Sequence, residues 1–219
     1  MAIVTSIVGK SGSGKTTAMR TLTNLDEIFI IRPSKKPFPF KAGKFKAWDK
    51  ETKSGQYIYT DDAGFAIAAM QKMVEENGKK VIIIEDSTFF MTNYFMATAM
   101  ETGFSKFTQN ALNYFNIIKA AENLPEDVRV YLINHIEDGA DGFQKVKTIG
   151  KLLDEKIDIP SLLTVVLHAT VSDGKHMFQT NKKTSMDIAK SPIDMFDAEY
   201  IDNDLQVVDD AIKEFYGIE

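Results

Sequence analysis

An eight-residue, glycine-rich segment carries the clearest chemistry in this sequence. The segment, Gly9-Lys10-Ser11-Gly12-Ser13-Gly14-Lys15-Thr16, matches the pattern G-x-x-x-x-G-K-[ST] at every fixed position. An apolar run at residues 3–8 leads into it, and a helix-compatible run at residues 17–25 follows it. Glycines let successive backbone N–H groups surround phosphate oxygens, and a following helix adds the positive end of its dipole. The segment therefore predicts a phosphate loop that binds a nucleotide.

The residues of this loop have expected roles at a bound nucleotide. We expect Lys15 to bind the β- and γ-phosphates during catalysis, and the Thr16 hydroxyl to bind Mg²⁺. The candidate nucleotide-binding residues are Gly9, Ser11, Gly12, Ser13, Gly14, Lys15, Thr16 and Thr17.

A pair of carboxylates follows the apolar run Val81-Ile82-Ile83-Ile84. Such a run indicates a strand buried on both faces of a parallel sheet, and ligands bind at the carboxyl ends of such strands. We expect Asp86, at this Walker B position, to hold Mg²⁺. Glu85 is a candidate general base, although alternation along a strand points it away from Asp86 unless the strand has ended. Asp61 and Asp62 are the alternatives.

Polar residues at the end of another apolar run extend the candidate site. Residues 128–134 predict a buried strand, and Asn134 and His135 at its end could hydrogen-bond the γ-phosphate or the attacking water. A cation for the transition state is less easily assigned, because only three of the 26 basic residues are arginines. Arg32 is one candidate. Lys182, Lys183 and Lys190 are further candidates, which would act on a neighbouring subunit. The alternative is that these three are ordinary surface lysines.

The composition suits one larger domain spanning residues 1–219, with 44% hydrophobic residues to fill a core. The lack of cysteine excludes a disulfide framework and fits a reducing cytoplasm. No apolar stretch approaches the length of a membrane span, so we expect no membrane partner. The net charge of −5 gives no sign of nucleic-acid binding. However, ten acidic residues and two lysines lie from Asp187 onward, which leaves a mildly basic remainder.

The alternation of strand and helix patterns predicts an α/β fold with a mainly parallel, twisted sheet flanked by helices. Strands are expected at residues 27–31 and 56–60. Helices are expected at 61–77, at 205–216 and twice within 89–123, separated by Gly103 and a Phe-containing segment at 104–109. The turn Ser172-Asp173-Gly174 predicts a C-terminal β-hairpin of residues 162–171 and 175–180.

Residues 9–17, 81–87 and 130–135 together resemble the RecA-type ATPase core. Its second motif reads hydrophobic-Asp-Ser, and this chain departs from it by placing Glu85 where an apolar residue is usual. A closer resemblance, over most of the chain, is to small phage- and prophage-encoded ATP-binding proteins, some of which are single-strand annealing recombinases. The segments that carry this closer resemblance are residues 36–40, 104–108, 147–156 and 189–192.

The resemblance implies a RecA-like P-loop ATPase that uses ATP and Mg²⁺ in phage recombination or replication, in the cytoplasm of a bacterial host. It also implies single-stranded DNA as a partner, a single-strand-binding protein as another, and assembly into filaments or rings. RecA-like proteins hold DNA against two loops, which correspond here to residues 89–109 and 137–151. The candidate DNA contacts in these loops are Lys106, Phe107, Lys145, Lys147 and Lys151, which could bind phosphates or stack on bases.

The lysine- and aromatic-rich residues 35–53 offer either a second DNA surface or a loop whose aromatic rings cover the core. Two other functions stay open. The first is a nucleotide-gated adaptor, without useful hydrolysis, in a phage replication or packaging complex. The second is a small-molecule kinase, which the sequence disfavours because such kinases close an arginine-bearing lid, whereas only Arg129 follows Arg32 here.

Overall fold

The computed structural model describes residues 1–139 and 142–218. The strands in these residues are β1 (Ile3–Gly9), β2 (Ile28–Arg32), β3 (Tyr57–Tyr59), β4 (Val81–Ile84), β5 (Arg129–Asp138), β6 (Gln144–Val146), β7 (Val165–Ser172), β8 (Lys175–Gln179) and β9 (Tyr200–Asp202). The α-helices are α1 (Ala63–Asn77), α2 (Thr88–Ala97), α3 (Ser105–Glu122), α4 (Lys151–Lys156) and α5 (Leu205–Tyr216). Short 3₁₀ helices lie at Thr17–Thr21, Leu25–Glu27 and Ile159–Leu162.

The strands form one sheet in the order β3-β2-β4-β5-β1-β7-β8-β9, with β6 paired to the end of β5. The six strands from β3 to β7 pair in parallel, whereas β8 and β9 are antiparallel. The predicted mainly parallel α/β sheet and the predicted C-terminal hairpin, β7–β8, are therefore confirmed. None of the described helices has the length and apolar character needed to cross a membrane.

Strand β5 lies between β1 and β4, and this order assembles the candidate site. Gly9 at the end of β1 pairs with His135 of β5, and Ile84 at the end of β4 pairs with Leu132. Parallel strands present their carboxyl ends at the same edge of a sheet. The phosphate loop, the Glu85-Asp86 pair and His135 consequently meet at one edge.

Two hydrophobic cores cover the two faces of the sheet. Ile82 and Ile84 pack with α1, α2 and α3, whereas Val81 and Ile83 pack with α5 and the 3₁₀ helix after the phosphate loop. This alternation confirms that β4 is buried on both faces, as the apolar run predicts.

The helix expected at residues 17–25 is wrong in type and length. The chain forms a five-residue 3₁₀ helix, Thr17–Thr21, and then a second short one. Threonines have low helix propensity because their branched side chains are restricted in a helix. The Thr21 hydroxyl bonds the Ala18 carbonyl at 2.8 Å, and the Lys44 ammonium bonds the Arg20 carbonyl at 2.7 Å, so that side chains stabilise the short turn.

Residues 104–109 do not form a separate segment, because α3 already begins at Ser105. The break at Gly103 is present, with φ of +88°, a value that glycine adopts without strain. The predicted loop at 137–151 includes residues 140 and 141, which lie outside the described residues. Its described part contains the end of β5, β6 and the start of α4, so it is less open than a plain loop. The aromatic rings of Phe38, Phe40 and Phe45 pack against one another over the second core, as expected for a covering loop.

Candidate nucleotide-binding site

The phosphate loop folds tightly against the end of β1. Gly12 and Gly14 have φ values of +79° and +98°, which favour glycine. The Lys15 ammonium donates to the Gly9 and Lys10 carbonyls, both at 2.9 Å. The Ser13 hydroxyl is buried and has no hydrogen-bond partner among the residues that the structure describes. A buried unpaired hydroxyl and a lysine held only by loop carbonyls both fit a loop whose proper ligand is an anion.

Burial shapes the charge of Lys15. It lowers the pKa of the ammonium from 10.5 to about 8, and the positive charge of Lys36 adds to this effect. The Asp86 and Glu85 carboxylates oppose the shift without cancelling it. A phosphate group would relieve the cost of this buried charge, so the site is electrostatically prepared for an anion.

Both candidate carboxylates lie on the loop side of the sheet edge. Strand β4 ends at Ile84, and Asp86 has φ of +52°, so strand alternation no longer separates the two side chains. Glu85 accepts a hydrogen bond from the Thr16 hydroxyl at 3.1 Å and another from Arg32 Nε at 3.0 Å. Asp86 forms an ion pair with Lys36 and lies 3.4 Å from His135 Nε2.

The environments of the two carboxylates shift their pKa values in opposite directions. Burial, together with the neighbouring Asp86, raises the pKa of Glu85 despite the contacts from Arg32 and Thr16. Burial also acts to raise the pKa of Asp86, but hydrogen bonds and charges from His135 and Lys36 outweigh it and lower the pKa to about 2. Asp86 is therefore ionised at neutral pH, as a metal ligand must be.

The oxygen donors of the site fit Mg²⁺ bound together with a nucleotide. No cluster of three or more His, Asp or Glu within the described ranges could hold a metal alone. Mg²⁺ commonly takes only one or two carboxylates and completes its shell with phosphate oxygens and water. The Thr16 hydroxyl and Asp86, both on the cavity wall, would supply these protein ligands.

A cavity of about 260 Å³ lies beside the loop. Residues on its wall are Ser11, Gly12, Gly14, Lys15, Thr16, Thr17, Lys36, Pro37, Pro39, Asp86 and His135. The predicted binding residues Gly9 and Ser13 form the turn behind this wall. Sequence reasoning missed Lys36, Pro37 and Pro39 as site residues: it assigned them to a possible DNA surface, although the resemblance already marked residues 36–40.

Asn134 does not lie on the cavity wall, contrary to its expected role as a phosphate or water sensor. It is fully buried, and its Oδ1 accepts hydrogen bonds from Ser87 and Tyr114, both at 2.6 Å. Its Nδ2 donates to the Ser6 hydroxyl at 2.9 Å. Both ends of the amide are thus used inside the protein, where they join β1, β5 and α3.

The side chains of the alternative bases, Asp61 and Asp62, and of the arginine candidate, Arg32, make their contacts outside the cavity. Asp62 caps α1 by accepting from the Phe65 N–H at 2.7 Å, and Asp61 accepts from Asn93 at 3.1 Å. Arg32 is buried against Glu85 rather than on the cavity wall. It therefore acts on the site through Glu85.

The lysines proposed to act across subunits also lie off the cavity wall. Lys182 and Lys183 are exposed, and the Lys183 N–H donates to Asp187 at 2.8 Å. The backbone of Lys190 pairs with Val166 of β7, and burial lowers the pKa of its ammonium. Lys182 and Lys183 have the exposure that a contact with a second subunit needs.

The five predicted DNA contacts divide into two groups. Lys106 donates to three backbone carbonyls, those of Thr98, Ala99 and Glu101, at 2.6–3.2 Å, and Phe107 packs on neighbouring rings. Lys145 pairs with Glu137 and Asp154. Lys147 and Lys151, in contrast, are exposed. Among residues 1–139 and 142–218, the Lys147 and Lys151 side chains have no ion pair or hydrogen bond that DNA would have to break.

No protein-family model and no curated protein matches the chain. Among the solved structures that resemble it is a crystal structure of a KaiC-like protein from the hyperthermophilic archaeon Pyrococcus horikoshii OT3. The TM-score is 0.47 and the identity 10%, over 84% of this chain and 82% of that chain. Because the similarity is this low, the interpretation of the site rests on its own geometry. That geometry joins a phosphate loop to a mainly parallel, helix-flanked sheet, which is the architecture of an α/β P-loop protein.

Proposed function

We propose that this protein binds ATP with Mg²⁺ beside the phosphate loop, hydrolyses it, and couples this cycle to binding single-stranded DNA. The observation that carries the nucleotide part is that Lys15, Thr16 and Asp86 line one cavity, with Glu85 behind it 3.1 Å from the Thr16 hydroxyl. A loop lysine, a loop hydroxyl and strand-end carboxylates are the parts that a P-loop nucleotidase needs.

Each of these residues then has a defined task. Lys15 exchanges the Gly9 and Lys10 carbonyls for phosphate oxygens, and Ser13 gains a partner for its buried hydroxyl. Thr16 and Asp86 would hold Mg²⁺, which would neutralise charge on the phosphates when bound. His135, next to Asp86, is placed to hydrogen-bond the attacking water or the γ-phosphate.

A specific observation favours the adaptor function as the second candidate. Both carboxylate oxygens of Glu85 are already used, one by Thr16 and the other by Arg32. A general base must also reach the attacking water, and Glu85 is fully buried and does not line the cavity. If Glu85 keeps both contacts with nucleotide bound, hydrolysis is slow and the nucleotide serves as a conformational signal.

ATP hydrolysis, measured with and without single-stranded DNA while particle size is followed, separates the two candidates. We expect Mg²⁺-dependent hydrolysis that DNA stimulates, together with assembly on DNA. ATP binding without hydrolysis, even with DNA present, would establish the adaptor. The Lys15→Ala variant is the control, because it should bind and hydrolyse far less ATP.

We place the DNA contact at a cleft of about 480 Å³ between residues 48–53 and α1. Trp48 and the half-exposed Phe65 supply rings on its wall. Lys50, Lys53 and Lys72 also line it, and Lys72 is paired with Glu76 at 3.6 Å. Aromatic rings that stack on bases, beside lysines that bind phosphates, are the usual means of holding single strands. We therefore propose that the second candidate surface, residues 35–53, binds DNA through this cleft.

The intrinsic fluorescence of Trp48, the only tryptophan, tests this assignment. Stacking on a base should quench it as single-stranded DNA is titrated. The double variant Lys50→Glu/Lys53→Glu should weaken DNA binding and reduce the slope of log affinity against log salt by about 1 to 2. The matched control is Lys147→Glu/Lys151→Glu, and the opposite pattern would move the DNA to residues 137–151.

A further inference from the structure

Lys36 lies in the nucleotide cavity although it belongs to an irregular segment far from the phosphate loop in sequence. Its ammonium forms an ion pair with Asp86 and lies 5.5 Å from the centre of the Phe89 ring. The side chain is half exposed, whereas that of Asp86 is only 3% exposed. A half-exposed cation thus covers the buried carboxylate that we assign to Mg²⁺.

The backbone of Lys36 is fixed from inside the protein. Its carbonyl accepts from Arg32 Nη2 at 2.7 Å, and Arg32 in turn bonds Glu85 at 3.0 Å. The guanidinium of Arg32 also lies 3.7 Å from the centre of the Phe38 ring. These contacts hold the start of the Lys36–Phe40 segment at the cavity, while the Lys36 side chain stays free to change partner.

The charges of the site favour a change of partner by Lys36 when a nucleotide and Mg²⁺ bind. Lys15 and Lys36 both face one cavity, and their mutual repulsion contributes to the lowered pKa of Lys15. A metal cation at Asp86 would repel the Lys36 ammonium. The phosphate oxygens of a nucleotide bound in the same cavity would attract this ammonium. Charge-assisted hydrogen bonds to phosphate are among the stronger polar contacts in proteins.

We propose that Lys36 binds the terminal phosphate of the nucleotide from within the same chain, and that it leaves Asp86 to do so. The proposal rests on the proposed nucleotide binding and names a residue that discriminates triphosphate from diphosphate. In the ligand-free protein, Lys36 neutralises the metal carboxylate. In the complex, it supplies the additional cation that the sequence led us to seek on Lys182, Lys183 or Lys190.

Equilibrium binding of ATP and ADP, each with Mg²⁺, tests the proposal by calorimetry without any measurement of turnover. The variants are Lys36→Gln, which replaces the ammonium by a shorter, neutral amide, and Lys36→Arg, which keeps the charge. The matched control is Lys35→Gln, since Lys35 is an exposed neighbour that does not line the cavity.

We expect Lys36→Gln to weaken ATP binding about tenfold and ADP binding much less, because a hydrogen bond to a charged group is lost only with ATP. Lys36→Arg should restore most of the affinity, and Lys35→Gln should behave as the parent chain. In Lys36→Gln the freed Asp86 should also lower the Mg²⁺ concentration needed for half-maximal binding of ADP.

Other outcomes overturn the proposal. Equal loss of ATP and ADP affinity would show that Lys36 contributes general electrostatic attraction and does not contact the terminal phosphate. Unchanged ATP affinity would show that Lys36 does not contact the nucleotide, and tighter ATP binding would show that Lys36 opposes binding. If the parent chain binds ATP while Lys36→Gln matches Lys35→Gln, only this inference fails. If the parent chain binds no nucleotide, the proposed function fails with it.

Discussion

Arg32 shows how one buried side chain organises the site without lining it. Its guanidinium bonds Glu85 at 3.0 Å, the Tyr59 hydroxyl at 3.0 Å and the Lys36 carbonyl at 2.7 Å. A buried cation needs this degree of pairing, because an unpaired one would be strongly destabilising. Arg32 therefore joins the Glu85–Thr16 contact to the segment that carries Lys36.

The lowered pKa of Lys15 predicts a pH-dependent affinity for ATP. Only the protonated ammonium binds phosphate strongly, and its pKa in the free protein is about 8 because of burial. As pH rises from 7 to 9 the free protein loses this proton, so the affinity should fall by about tenfold. Titration calorimetry at several pH values measures this change.

The control for this pH effect is Lys15→Arg, whose guanidinium stays protonated throughout the range. Its affinity, even if lower at pH 7, should stay level as pH rises. An equal fall in the parent chain and in Lys15→Arg would assign the pH effect to another group.

Asp86→Asn should raise the Mg²⁺ concentration required for ATP binding. The substitution keeps the shape of the side chain and removes the charge that a metal ligand supplies, so we expect an increase of about tenfold. Folding should be spared, because the Lys36 partner is half exposed and can be solvated. Asp61→Asn is the control, and the same Mg²⁺ requirement in both variants would remove Asp86 from the metal site.

Residue roles differed in how far the sequence could predict them. The phosphate loop is a local pattern, so Lys15 and Thr16 were identifiable from spacing alone. The role of Lys36 was not identifiable, because Lys36 lies 50 residues before Asp86 in the sequence and contacts it only in the folded chain. Asn134 was assigned to the site from its place at a strand end, but hydrogen bonds to Ser6 and Tyr114 turn it into the core.

At the scale of elements, α5 is attached to the sheet by a buried ionic network. Asp209 accepts two hydrogen bonds from Arg129, at 3.0 and 2.9 Å, and one from the Tyr131 hydroxyl at 2.6 Å. All three side chains are buried. The network fixes the helix against β5 at the edge of the sheet opposite the phosphate loop.

Asp209→Ala should therefore reduce the free energy of unfolding by about 3–5 kcal/mol, because Arg129 keeps a buried charge without its partner. The neighbouring Asp210 is exposed and bonds only Gln206 in the described contacts, so Asp210→Ala should change the stability by less than about 1 kcal/mol. Urea denaturation compares the two. Equal losses would show that the network does not anchor α5.

Elements with clear end signals were the most predictable. The helices expected at 61–77 and 205–216 were found as Ala63–Asn77 and Leu205–Tyr216. Asp62 and Asp204 cap their starts, and Gly78 and Gly217 end them in the left-handed conformation. The run 17–25 lacks such an end and is rich in threonine, so tertiary contacts decided its form.

At the scale of the whole molecule, strand order brings distant residues together. The fold class followed from alternating patterns, but nothing in the sequence identified β5 as the strand between β1 and β4. That placement sets His135 beside the phosphate loop. It depends on long-range pairing, which local periodicity does not encode.

The end of α2 and the turn between α2 and α3 expose apolar side chains, a surface that supports the proposed assembly. Met96, Met100 and Phe104 are 64%, 95% and 86% exposed. Clustered apolar exposure of this kind is typical of contact surfaces between proteins.

The double variant Met100→Lys/Phe104→Lys should prevent the increase in particle size that we expect with ATP and single-stranded DNA. Added charge at an apolar interface is costly unless it is paired. Ile193→Lys is the control, because Ile193 is 85% exposed outside this turn. Light scattering measures the size, and unaltered assembly of the double variant would exclude this surface.

The most direct test of the central claim is calorimetric binding of ATP with Mg²⁺ to the parent chain and to Lys15→Ala. We predict one bound ATP per chain, with an affinity that falls at least about tenfold in the variant, because a charge-assisted contact to phosphate is lost. Circular dichroism would confirm that the variant is folded. Equal affinities, or no binding by the parent chain, would contradict the assignment of this cavity as a nucleotide site.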